Sequence, residues 1–184
     1  MLVNWSFICQ LAGGRRLIGY VPGANADRRG VTVATGVDLG HYTPRDIETM
    51  SIPDSLKTKL KPYAGLTGDA AAAALDGQPL GLTSAEAEAL DDAVKKPIVR
   101  QTIARYNAAV GDQGHLPPFE TLPEAAQTVI ASVALHYGAA LPERFPHFWH
   151  CVCNQDWPAA AAALEDCADA RHKREAGLLR SVYS

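Results

Sequence analysis

The stretch LIGYVPGANADRRGVTVATGVDLGHY, residues 17–42, decides how the rest of the chain is read. Apolar and β-branched residues flank a turn rich in Pro, Gly, Asn and Asp, and that pattern predicts a β-hairpin. Gly36 and Gly40 bracket Asp38 and predict a turn out of the second strand. Just upstream, NWSFICQLAG (residues 4–13) sets Trp5, Ile8, Cys9 and Ala12 at helical spacing, and Gly13-Gly14 ends the helix.

Downstream of the hairpin the pattern is helical. TPRD at residues 43–46 reads as a helix start with Pro44 at the first helical position. Thr83 and Glu86 have capping-box spacing, each able to satisfy a backbone donor left free at a helix end. Asp91 with Lys95 and Asp92 with Lys96 form i,i+4 pairs on the helix that follows. Pro97 is expected to break or restart that helix, after which Ile98, Thr102, Ile103, Tyr106 and Val110 continue a helical stripe. GDQGHLPPF (residues 111–119) reads as a loop. LPEAAQTVIASVALHYGA (residues 122–139) is apolar nearly all round, hence a central buried helix that Gly138 stops. Two more helices are expected from Trp157 through Leu164 and from Asp169 through Leu179. The expected class is α+β, mainly α, with a small N-terminal β-hairpin lobe and a helical C-terminal lobe. One domain is expected over residues 1–184, divided into the first helix plus hairpin at about 1–45 and the helical body at about 46–184.

Composition narrows the function. A chain of 184 residues with 47% hydrophobic and 20% charged residues can bury a sizeable core. A net charge of −3 does not suggest a nucleic-acid binder. Arg15, Arg16, Arg28 and Arg29 around the hairpin could form a local basic patch or be solvated loop arginines. The most apolar run, residues 128–135, is too short to cross a bilayer, and the N-terminus does not read as a secretory signal. Neither membrane nor nucleic acid is an expected partner, and a monomer is expected. Among Cys9, Cys151, Cys153 and Cys167, the run HFWHCVC invites a metal reading. Cys-x-Cys is not the common zinc spacing, so buried, inert thiols are expected instead, with no metal and no cofactor.

Several motifs resemble one family. GYVPG, GVTVATGVDLGHY, LKPYAGLTG, PLGLTSAEAEAL, QTVIASVALHYG, FPHFWH, QDWPAAAAAL and RHKREAGLL occur in this order across nearly the whole chain. Together they resemble the pesticin-type lysozyme domain, a member of the phage-lysozyme class of muramidases that also forms the toxic tip of bacterial secretion effectors. The resemblance implies a lysozyme-like fold and cleavage of the β-1,4 bond between N-acetylmuramic acid and N-acetylglucosamine. The partner it implies is the peptidoglycan glycan strand; it also allows a cognate immunity protein. The implied place of action is the bacterial periplasm and cell wall, reached through a secretion system, a larger parent protein or phage release.

The family uses a Glu at the end of the first helix, a Thr in the hairpin and an Asp six residues after that Thr. Thr32 and Asp38 match the last two in type and spacing, whereas the Leu-Glu-Gly run that carries the Glu is here Leu11-Ala12-Gly13. Inverting hydrolysis of a glycosidic bond needs one carboxylic acid to protonate the leaving oxygen and a second carboxylate to position water. Asp38 would direct that water and Thr32 would hold it by its hydroxyl. The methyl group of Ala12 can donate no proton, so this chain is expected to bind glycan and to be close to inactive. Two origins fit Ala12: a deliberate exchange that disarms a toxic hydrolase, or a natural pseudoenzyme that only binds.

Each assignment has a plainer counterpart. Asp38 could be a turn former, and Thr32 alone is an ordinary strand residue. Tyr20 could stack on a sugar face or pack in the core. His136 and Tyr137, at the end of the central helix, could contact substrate or be interior residues. Arg171, Lys173 and Arg174 read as a solvated or salt-bridged helix face with Glu175.

Overall fold

Positive φ angles at Gly13 (83°) and Gly14 (85°) turn the chain out of its first helix, a conformation that side chains with a Cβ rarely adopt. That helix, α1 (Trp5–Leu11), thus ends one residue before Ala12. The computed structural model describes residues 1–23, 28–111, 114 and 116–183; the expected hairpin turn at residues 24–27 lies outside them. Strands β1 (Arg16–Tyr20), β2 (Thr32–Ala34) and β3 (Val37–Asp38) form one antiparallel sheet in that order. The helices are α2 (Pro44–Thr49), α3 (Asp54–Leu60), α4 (Gly68–Gly77), α5 (Ser84–Gly111), α6 (Glu124–Tyr137), α7 (Leu141–Arg144), α8 (Pro146–Cys153), α9 (Trp157–Glu165) and α10 (Ala170–Arg180). A mainly helical α+β chain with a small sheet is what the hydrophobic patterning implied.

Backbone contacts group the chain into two compact units, residues 12–96 and residues 1–11 with 97–184. The first unit has its own core, in which Val33 and Val37 of the sheet join Val31, Leu39, Ile47, Leu56, Leu60, Tyr63 and Leu90. The outer edge of β1 is covered: the Gly19 amide donates to the Leu80 carbonyl (2.9 Å) and the Leu82 amide to the Leu17 carbonyl (2.8 Å). Covering an edge in this way removes a row of free backbone groups. The helix starts read from sequence are present. Thr43 and Asp46 form a full capping box on α2. The Glu86 amide donates to the Thr83 hydroxyl (3.2 Å) while the Glu86 carboxylate accepts from the Thr83 amide (2.8 Å).

The second unit is built on α6, buried without interruption from Ala126 to Ala134. Gln127 and Thr128 inside it accept backbone donors from the N-terminal segment, Leu2 (2.7 Å) and Asn4 (2.8 Å). These bonds fix that segment against α6. Gly138 caps the helix with φ 71°, so its stop falls where the sequence put it.

One expectation is refined and one corrected. Asp38 ends a third strand, β3, where Thr32 pairs with it across the sheet, and its side chain also caps the 3-10 turn at Leu39–His41 by accepting from the Gly40 amide. The sharp turn precedes it at Ala34 (φ 53°) and Gly36 (φ 76°). Pro97 does not break its helix, since α5 runs from Ser84 to Gly111 with Pro97 inside it. Proline deletes one helical hydrogen bond, but buried side chains on both sides, Ala87 and Leu90 before it and Val99, Tyr106 and Val110 after it, hold the helix together.

Candidate active site

Register gathers three of the predicted residues. Tyr20 on β1 is opposite Thr32 on β2, and Thr32 is opposite Asp38 on β3. Directly opposed residues of antiparallel strands project to the same face, so the three form one row across the sheet. Thr32 and Asp38 are buried, at 4% and 8% relative exposure.

The two carboxylate oxygens of Asp38 have different environments. Oδ1 accepts from the backbone amides of Gly30 (3.1 Å) and Gly40 (2.9 Å), which fixes the group in place. Oδ2 is buried and has no hydrogen-bond partner among the described residues. Two basic side chains flank it beyond hydrogen-bond distance, the Arg29 guanidinium with Nη1 at 3.7 Å and the His41 imidazole with Nε2 at 3.8 Å. A fixed carboxylate with one unsatisfied oxygen can accept a proton or hold a water. The Thr32 hydroxyl donates to the Gly30 carbonyl at 3.3 Å, and its oxygen can still accept. Tyr42 is affected as well: burial first, then the charges of Asp38 and Asp46, hold its phenol above the ordinary value.

The sequence around Asp38 allows this close packing because two glycines meet behind it. A Cβ on Gly30 would lie 2.4 Å from the Gly40 nitrogen and 2.7 Å from Asp38 Oδ1. Ala12 lies by the crest of the same hairpin, where a Cβ on Gly36 would be 4.0 Å from its own Cβ. The structure therefore brings Ala12 beside the β2–β3 turn and Tyr20, Thr32 and Asp38 into one row. The Arg16 guanidinium covers one face of the Tyr20 ring at 4.4 Å from its centroid.

His136 and Tyr137 belong to the unit formed by residues 1–11 and 97–184. Tyr137 is engaged there: its hydroxyl pairs with His172 Nε2 (3.1 Å) and its ring contacts Phe145. His172 Nδ1 pairs in turn with Glu175 Oε2 (2.6 Å), and Glu175 also binds Arg171 Nε (3.0 Å) and the Ser132 hydroxyl. The expected salt bridge of Arg171 with Glu175 is thus present. His136, Asp169 and His172 offer ligand atoms within 4.8 Å of one another, but both ring nitrogens of His172 already face partners. Partial desolvation, then the Arg171 cation and His172, hold the His136 imidazole below its ordinary pKa.

Sequence reasoning missed Arg29 and His41 as neighbours of Asp38 and the buried role of Asp91. The i,i+3 relation of Asp38 and His41 acquires meaning only once residues 39–41 form a 3-10 turn, which Asp38 itself caps. The expected burial of the thiols holds for Cys151 and Cys153, whereas Cys9 and Cys167 are only half-buried. Cys151 and Cys153 are buried in α8, and burial raises both thiols, Cys153 to about 11.

No curated protein matches the chain. The match to a known family spans residues 2–158, and the chain belongs to that family, Pesticin, described as a bacterial toxin homologue of phage lysozyme, C-terminal part.

Proposed function

We propose that this chain is a peptidoglycan muramidase scaffold that binds glycan strands and is disarmed at the general acid. Family membership supplies the coarse reading, a lysozyme-type glycoside hydrolase acting on the cell wall. The observation that carries the finer one is the buried Asp38 Oδ2, held in the same sheet row as Thr32 with no hydrogen-bond partner among the described residues. In this reading Asp38 Oδ2 takes a proton from a water whose other hydrogen is held by the Thr32 hydroxyl oxygen. The water attacks the anomeric carbon of the N-acetylmuramic acid from the face opposite the leaving sugar, inverting its configuration. Tyr20, half-buried in the same row, stacks on a sugar ring in this reading.

The departing oxygen must receive a proton, and position 12 is where that acid belongs. Acid and base in inverting enzymes are separated by roughly 6.5–9.5 Å, which leaves room for the water. General acid catalysis contributes about 10²–10⁴-fold, and the alanine methyl supplies none of it. Delivery by a secretion system, a parent protein or phage release, and protection of the producer by an immunity protein, belong to the same reading.

Ala12 also favours a second reading, a recognition module that binds glycan without turnover. The two are separated by muropeptide release from purified peptidoglycan, measured for this chain, Ala12→Glu, and Ala12→Glu combined with Asp38→Asn. Release by Ala12→Glu alone, at least about 10²-fold above the other two, supports the disarmed hydrolase. Binding by all three with release by none identifies a recognition module and removes the catalytic roles of Thr32 and Asp38.

A further inference from the structure

Asp91 on α5 is a carboxylate with only 5% relative exposure, and its two oxygens serve two other segments and its own helix. Oδ1 accepts from the Thr35 amide (3.1 Å) and pairs with Lys95 Nζ (2.8 Å). Oδ2 accepts from the Thr35 hydroxyl (2.6 Å) and from Arg15 Nε (3.3 Å). Thr35 is the crest of the β2–β3 hairpin, between the two residues in left-handed conformation, Ala34 and Gly36. Arg15 is three residues after Ala12 in the segment leaving α1. One buried carboxylate therefore grips both the turn that sets the Thr32–Asp38 register and the segment that carries position 12.

The Ala34 conformation makes the grip necessary. A non-glycine residue in the left-handed region costs roughly 1–2 kcal/mol, so this turn does not hold its shape through local preference alone. The twofold bond from Asp91 to the amide and hydroxyl of Thr35 holds the turn from outside, and hydrogen bonds to a charged acceptor are the strong ones. Two cations, Arg15 and Lys95, compensate the buried charge.

We propose that Asp91 is a positioning residue of the hydrolytic site: it sets the gap between position 12 and the Thr32–Asp38 pair. This rests on the muramidase reading above. Asp91 touches no reacting atom. It acts through Thr35 on the hairpin and through Arg15 on the segment following the acid position. A displacement of about 1 Å in such a gap is enough to cost roughly 10²-fold in rate.

The test uses the full chain carrying Ala12→Glu, with Asp91→Asn, Thr35→Val and Arg15→Gln each added to it. Thr35→Val removes only the hydroxyl arm and keeps the shape, so it remains informative if Asp91→Asn folds poorly. For the folded variants, kcat on soluble glycan fragments is expected to fall about 10- to 100-fold with Asp91→Asn and less with each single-arm change. KM is expected to stay within about threefold in all of them, since no sugar contact is altered. Amide exchange at Thr35 is expected to quicken in Asp91→Asn. Unchanged kcat in folded Asp91→Asn and Thr35→Val, with the loss confined to melting temperature, makes Asp91 merely structural and overturns the proposal. If Ala12→Glu alone releases nothing, the muramidase reading fails first, and this proposal fails with it.

Discussion

Gly30 shows how much of the site depends on a missing side chain. Its α-carbon faces the Gly40 backbone, and any Cβ there would sit 2.4 Å from the Gly40 nitrogen and 2.5 Å from its α-carbon. Those are backbone atoms, which cannot swing aside as the end of a flexible side chain can. Gly30→Ala must therefore push the two segments apart, and both donate an amide to Asp38 Oδ1. Overpacking a tight site costs typically about 1–3 kcal/mol. Gly30→Ala is expected to destabilise by that amount in urea unfolding, and to reduce release by the Ala12→Glu chain further than the stability loss explains. Full retention of release in the folded variant would mean that the Gly30–Gly40 contact does not hold Asp38 in place.

At the scale of elements, α5 is the instructive case. Pro97 is exposed and leaves the carbonyl four residues earlier without its helical donor. An interior proline costs about 3 kcal/mol, offset in part because proline also restricts the unfolded chain by about 0.4–1 kcal/mol. Pro97→Ala is therefore expected to stabilise the protein, by up to about 2 kcal/mol, read as a higher urea midpoint with an unchanged slope. An unchanged or lower midpoint would show that the helix is already bent to suit proline and gains nothing from the restored bond. The same element shows what could be read in advance. The Thr83–Glu86 cap and the Asp91–Lys95 pair depend on neighbours three and four apart, so they were legible. Asp91 reaching Thr35 across 56 residues is a tertiary fact that no local pattern encodes. Continuity through Pro97 was misjudged for a related reason, because burial on both sides overrode a local breaker. In the hairpin the types and spacing of Thr32 and Asp38 were legible through the resemblance. The orphaned Oδ2 was not, since it follows from two backbone amides converging on the other oxygen.

For the whole molecule, acidity separates two sets of groups that a net charge of −3 conceals. Asp46, Glu48 and Glu86 all titrate below their ordinary values: hydrogen bonds from Thr43 act first on Asp46, one from Lys61 on Glu48 and one from Lys59 on Glu86. A carboxyl with a depressed folded-state pKa adds stability above its unfolded value and loses it as pH falls through the folded one. Those losses therefore belong below about pH 4, and those of Asp46 and Glu48 are small because both groups are exposed. His136 acts higher on the scale. Its imidazole titrates below the ordinary value, so between its folded and unfolded pKa values the unfolded chain binds the extra proton. Stability must then fall as pH drops below about 6.5, the ordinary histidine value, well above the range in which Asp46, Glu48 and Glu86 are protonated. Melting temperature is expected to be level between about pH 7 and 8, to decline as pH falls below about 6.5, and to decline again below about pH 4. His136→Gln keeps a polar side chain without the titration and is expected to flatten the first decline while leaving the second. A first decline that survives His136→Gln intact would assign it to another group and remove His136 from the account.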